Sequence, residues 1–142
     1  MDYELGTIQV TAELRDEEPE EISSLTDVTK KYGFLRDRPK EHFYAVFLKS
    51  DNEVIGDKLI SLGSTGEAPV DVKDVARTGV LTNASAVILV HNHPSKNNEA
   101  SQKDRDITRE IKQALDILDI EVLDHVIISQ DGSYSMKQHG DL

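Results

Sequence analysis

The chain has 142 residues, 37% hydrophobic and 30% charged, with 27 acidic against 16 basic side chains and a formal net charge of −11. That length suits one domain with its own core, and the acidic excess repels phosphate backbones, which argues against direct nucleic-acid binding. There is no cysteine, which excludes disulfides, thiol nucleophiles and thiolate metal ligands and leaves His, Asp and Glu as the side chains able to hold a metal. The longest apolar run, Ala86–Val90, is far short of the roughly 20 residues a membrane span needs. The first residues lack the basic start and apolar stretch of a signal peptide, so the expected location is cytoplasmic, with no membrane partner.

In chain order, "GTIQVTAEL", residues 6–14, places Ile8, Val10 and Ala12 at alternate positions and predicts a short strand. The acidic stretch 15–24, with Pro19 and no apolar period, reads as a solvated connection. Leu25, Val28, Tyr32 and Leu35 recur at helical spacing, with Gly33 weakening the end of that helix. The basic cluster "KKYGFLRDRPK", residues 30–40, reads as a solvated helix end and loop. Residues 41–50 are rich in aromatic and apolar side chains and run through an Asp51-Asn52 turn into "EVIGDKLISLGS", which predicts an antiparallel hairpin broken by Gly63 and Gly66.

A helix opened by Pro69 is expected around Val70, Val72, Val75 and Val80. The continuous apolar run in "ASAVILVHN", residues 84–92, has the character of a strand covered on both faces. After Ser101, Ile107, Ile111, Ala114, Leu115 and Leu118 describe an amphipathic helix of about five turns. Residues 120–129 form a further buried strand and 132–138 a last short one. Alternating elements in the second half, with a hairpin in the first, predict an α/β fold: a single-domain mixed β-sheet flanked by helices.

The chemistry concentrates in "HNHPSKNNEASQKD", residues 91–104. Residues two apart on a strand share a face, so His91 and His93 can address one point just past the sheet's edge. Pro94 ends the ladder and turns the chain outward. Ser101 has the chemistry of a helix N-cap, which puts Asp104 in the first turn, its carboxylate able to point toward the histidines. Each part has an ordinary structural use: Ser-x-x-Asp is a common capping arrangement, and a His-x-His pair at a strand end is often solvated or bonded to backbone. Their conjunction directly behind the most buried strand points to a metal. Two histidines and one carboxylate leave zinc an open position for water, whose pKa the ion brings near ~7, as hydrolysis at neutral pH requires.

His91-x-His93-Pro94 followed by Ser101-x-x-Asp104 resembles the JAMM (MPN) metalloprotease motif. "NASAVILVHNHPS" with the downstream "VLDHVII" is similar to the RadC branch of that superfamily, and the similarity covers residues 22 to 140. The resemblance implies a JAB/MPN domain of the cytidine-deaminase-like type over 22–142, behind an N-terminal strand and acidic connection over 1–21. It implies Zn2+ held by His91, His93 and Asp104, with Ser101 supporting the substrate or transition state. The implied activity is hydrolysis of a peptide or isopeptide-like amide bond in a peptide or protein substrate. It also carries a historical association with DNA repair, which the acidic charge does nothing to support.

Such a hydrolase uses an upstream glutamate as general acid/base, and the matching position falls at or next to Lys58. Lysine cannot serve there without a large pKa depression. Asp57, offset by one residue, and Glu67 or Glu53 on loops are the candidates for the base; strand neighbours face opposite sides, so Asp57 and Lys58 cannot both face the metal. Lys96 replaces the family's glycine after "HNHPS". Without a base, the alternative is a metal-binding or metal-free interaction module, or a DNA-repair accessory protein, that keeps the fold. Asp124 and His125 match the family's Asp-His pair and can orient a ligand histidine or form a buried structural pair. His42 is assigned to the packing of the hairpin and His139 to solvent.

Overall fold

The computed structural model describes residues 6–13, 21–63, 69–94 and 98–142. Its elements are α1 (Leu25–Tyr32), a 3-10 helix (Gly33–Asp37), β1 (Glu41–Leu48), β2 (Val54–Gly63), α2 (Val72–Leu81), β3 (Ala86–Asn92), α3 (Gln102–Ile117), β4 (Glu121–Ser129) and β5 (Gly132–Ser135). One mixed sheet has the order β2-β1-β3-β4-β5. β3 runs antiparallel to β1 and parallel to β4, while β1–β2 and β4–β5 are antiparallel hairpins. α3 supplies the crossover that a parallel pair requires. The expected α/β architecture is the one observed.

Alternation along the strands divides the core into two faces. Val46 and Leu48 of β1 and Ile88 and Val90 of β3 meet Val28 and Tyr32 of α1 and Leu35 of the 3-10 helix. Phe43, Ala45 and Phe47 of β1, with Val87 and Leu89 of β3, face the other way onto Val75 of α2 and Ile111 and Leu115 of α3. Every residue of β3 is buried, because helices cover it on both sides.

The helix ends follow from local chemistry. Ser24 caps α1 by accepting from Asp27 N at 3.2 Å, and at Gly33 the chain tightens into the 3-10 helix that carries Leu35 inward. α2 departs from expectation: it starts at Val72, with Asp71 accepting from Lys73 N at 3.0 Å. A carboxylate cap satisfies one of the unpaired backbone donors, which Pro69 upstream does not. Val80 is 56% exposed, and Gly79 takes the buried place beside it. A Cβ on Gly79 would stand 2.9 Å from Ile120 Cδ1 and 3.7 Å from Phe47 Cε1, so the helix approaches the sheet more closely there than a side chain would permit unless Ile120 moved.

Of the strand expected over residues 6–14, the described part, 6–13, forms no strand and pairs with none among the described residues, and Ile8 and Val10 are 87% and 60% exposed. Alternating apolar residues are not enough when no neighbour takes the backbone N–H and C=O groups. Most of the acidic connection, and Gly66, lie outside the described residues. Among the described residues no helix is long and apolar enough to cross a membrane.

Candidate metal centre

His91 continues the alternation of Val87 and Leu89, so its ring falls on the α2/α3 face, where it is fully buried. His93 lies one residue past β3, yet its N–H still donates to Ile128 O of β4 at 3.0 Å. That bond extends the parallel register and keeps the two rings together, with His93 Nε2 3.0 Å from His91 Nε2. At the start of α3, Ser101 Oγ accepts from Asp104 N at 3.1 Å and Asp104 Oδ2 accepts from Ser101 N at 2.8 Å, a reciprocal capping box. The capping carboxylate also reaches the imidazoles: Oδ1 is 3.1 Å from His91 Nε2 and Oδ2 is 3.0 Å from His93 Nε2.

A fourth group comes from the first residue of β1. Glu41 shares the phase of Phe43, Ala45 and Phe47, and its Oε1 lies 3.7 Å from His91 Nε2. Glu41, His91, His93 and Asp104 each offer one ligand atom, all within 4.8 Å of one another. Donors at ordinary N and O distances around a tetrahedral zinc ion stand roughly 3.3 Å apart, so the three short separations fit such an ion after small adjustments, and Glu41 stands a step further back. Burial pushes the Asp104 carboxyl up, but its contacts with His91 and His93 and the Ser101 N–H outweigh it. The carboxyl is held well below the usual carboxylate range, and the ligand oxygens are anionic at neutral pH.

Two further residues stand behind His91. His91 Nδ1 is 2.7 Å from His125 Nε2 on β4, and His125 Nδ1 is 2.5 Å from Thr108 Oγ1 on α3. Burial lowers the His125 pKa well below its ordinary value, with the charge of His91 acting in the same direction, so this ring is neutral at pH 7. Of the Asp124-His125 pair, only His125 meets a histidine of the cluster. Asp124 instead accepts from His125 N at 2.7 Å, Ser135 Oγ at 2.5 Å and Lys137 N at 3.0 Å, which ties β4 to the end of β5.

Of the carboxylates proposed from sequence as the base, Asp57 and Glu53 do not join this group. Asp57 pairs with Val46 and therefore faces α1, on the opposite side of the sheet, where it accepts from Tyr32 Oη at 2.6 Å. Lys58 pairs with Ala45 and turns to Asp74 of α2, its Nζ 2.6 Å from the carboxylate. Glu53 lies at the β1–β2 turn, 3.7 Å from Lys49 Nζ. Glu67 and Lys96 lie outside the described residues. Among the described residues, the carboxylate that stands with Asp104 beside the histidines is Glu41. Its signal in the sequence is a glutamate in the core phase of "EHFYAVFL", where a purely structural strand would carry another apolar residue. His42 keeps to the α1 face, stacked on Tyr44, and His139 stacks on Tyr134 with Nδ1 2.8 Å from Ser135 O. Neither joins the cluster.

The description "RadC-like JAB domain" matches residues 20–141 of the chain. A UPF0758 protein of Rubrobacter xylanophilus is 42% identical over 125 residues, which cover 85% of this chain and 53% of that protein. A UPF0758 protein of Vibrio campbellii is 42% identical over 114 residues, 79% of this chain and 51% of its own. One of Chlorobium chlorochromatii is 38% identical over 108 residues, 76% and 49% of the two chains. The chain spans about half the length of these curated relatives.

Proposed function

The chain belongs to the RadC-like JAB domain family, and from that premise we propose that it is a zinc-dependent hydrolase acting on a peptide or isopeptide-like amide bond. The observation that supports this most is the convergence of Glu41, His91, His93 and Asp104 from β1, β3 and its exit, and the first turn of α3. His91, His93 and Asp104 would hold the ion. Zinc bound there supplies Lewis acidity toward water and toward the scissile carbonyl.

The chain's own groups do the rest. Glu41, set back at 3.7 Å from His91 Nε2, takes the proton of the attacking water and passes it to the leaving amine. Ser101 Oγ accepts the Asp104 N–H, so its own hydroxyl proton is left to donate to the oxygen that gains negative charge.

One observation favours a second reading, a metal-free interaction module: His91, His93 and Asp104 lie within hydrogen-bond distance of one another, so the cluster can close without an ion. Metal analysis of wild type beside His93→Ala and Asp104→Ala, with a screen of wild type against peptide and isopeptide substrates, separates the two. The hydrolase reading expects one zinc per chain in wild type, its loss in both variants, and cleavage that a chelator abolishes. Stoichiometric zinc in all three proteins would sink the ligand set, and none in wild type prepared without chelator would support the module.

A further inference from the structure

Thr108 lies one turn beyond Asp104 on α3 and is 2% exposed. Its hydroxyl meets two strong partners, the backbone oxygen of Asp104 at 2.5 Å and Nδ1 of His125 at 2.5 Å. A hydroxyl has one proton to give. Toward a carbonyl oxygen it can only donate, whereas toward a neutral imidazole nitrogen it can donate or accept.

If Thr108 donates to the Asp104 carbonyl, His125 Nδ1 carries the hydrogen and donates to Thr108 Oγ1. His125 Nε2 is then a lone pair that accepts from His91 Nδ1–H across 2.7 Å. His91 Nε2, which faces His93, Asp104 and Glu41, is left with a lone pair. If Thr108 donates to His125 instead, every hydrogen in the row moves over: His91 Nε2 is protonated, and two oxygens 2.5 Å apart at Thr108 and Asp104 have no proton between them. The first direction sets the His91 Nε2 lone pair 3.1 Å from Asp104 Oδ1, a longer separation than two oxygens at 2.5 Å and one whose repulsion a cation bound between them removes, whereas the second leaves Thr108 and Asp104 opposed whether or not an ion is bound. Met136 Sδ, 3.7 Å from the hydroxyl, is a weak acceptor, and donation to it leaves His125 in the same tautomer as the first direction.

We propose that Thr108 and His125 are positioning residues that hold His91 with its hydrogen on Nδ1 and a lone pair on Nε2, ready for a divalent metal. The proposal rests on the metal-site reading above. Residue 104 then enters the centre twice, through its carboxylate as a ligand and through its own carbonyl as the anchor that sets the tautomer of another ligand.

Two measurements on the full chain test this. Long-range proton–nitrogen correlation NMR of the metal-free protein at mildly alkaline pH reads each imidazole tautomer directly. Hydrogen on Nδ1 of both His91 and His125 is expected, and hydrogen on Nε2 of either overturns the proposal. Zinc titration against a competing chelator gives the second readout: Thr108→Val, which keeps the shape and loses the hydroxyl, is expected to weaken binding about 10–100-fold, with Thr108→Ser restoring it. Equal zinc affinity in wild type and Thr108→Val overturns the proposal, and if the valine variant does not fold, the wild-type tautomers decide. The expected tautomers without any zinc binding by wild type would uphold the relay and overturn the metal reading instead.

Discussion

The side-chain oxygen of Asn92 accepts the backbone N–H of His42 at 2.7 Å, while its amide nitrogen donates to Arg38 O at 3.3 Å and Lys40 O at 3.0 Å. Asn92 sits between the two histidines and, by strand alternation, points to the face opposite theirs. One residue of β3 therefore fixes where β1 begins, and with it the position of Glu41. Asn92→Ala removes the side-chain partner of the His42 N–H and of the Arg38 and Lys40 carbonyls and is expected to cost about 2 kcal/mol, a fall in Tm of roughly 5–10 °C. Asn92→Asp keeps the acceptor for His42 but turns an anionic oxygen onto two carbonyls, so it should be at least as unstable. Thermal and urea unfolding check the order; wild-type stability in the alanine variant would remove the clamp.

Glu41 and Asp57 are two carboxylates on opposite faces of the same hairpin, and the proposed reaction needs only the first. Glu41→Gln is expected to reduce amide hydrolysis by about 10²–10⁴-fold while zinc content persists. Asp57→Asn should leave both unchanged and lose only part of the Tyr32 hydrogen bond's stability. Rates and zinc stoichiometry on the same preparations decide between them, and equal activity of Glu41→Gln and wild type would end the role given to Glu41.

The central strand should be the least tolerant of truncation. Leu89 is fully buried on the face that carries His91, and Leu89→Ala is expected to cost about 2–5 kcal/mol through lost burial and a cavity. Leu59→Ala on the outer strand β2, where the side chain is 39% exposed, should cost well under half as much. Urea unfolding of the two variants measures the contrast.

The last turn of the chain should respond to acid. Tyr134 Oη donates to Asp141 at 2.5 Å and Arg105 Nε donates to it at 3.2 Å. These contacts, that of Tyr134 first, hold the Asp141 carboxyl below its ordinary value of 3.8. A depressed folded pKa gives stability that is present above the unfolded value and is lost as pH falls through the lower folded one. Asp141→Asn should flatten that part of the acid limb, followed by urea unfolding as a function of pH. An acid limb identical to wild type would show that the contact carries no linkage.

The elements with strong periodicity were legible in the sequence: the buried run of β3, the amphipathic α3 with its Ser101 cap, and the hairpin with Asn52 at its turn, where φ is +66°. The group of His91, His93 and Asp104 was legible too, because strand alternation and a cap both have short-range geometry. Glu41 was not, because its nearness to His91 comes from β1 lying antiparallel beside β3, a pairing between distant segments that no local pattern encodes. Thr108 was hidden for the same reason, since its partner His125 arrives from β4. Ile8 and Val10 show the converse error, an alternation that pairs with no strand among the described residues.

Residues that converge on one point are drawn from position 41, positions 91 to 104 and, behind them, position 125, and they meet only when β3 has paired with both β1 and β4. An unfolded chain therefore has no such site, and an ion that binds it is a ligand of the native state alone. At a concentration 100 times its Kd, such an ion adds about 2.7 kcal/mol to the unfolding free energy. Zinc held by this cluster would be visible as a concentration-dependent melting temperature before any substrate is known.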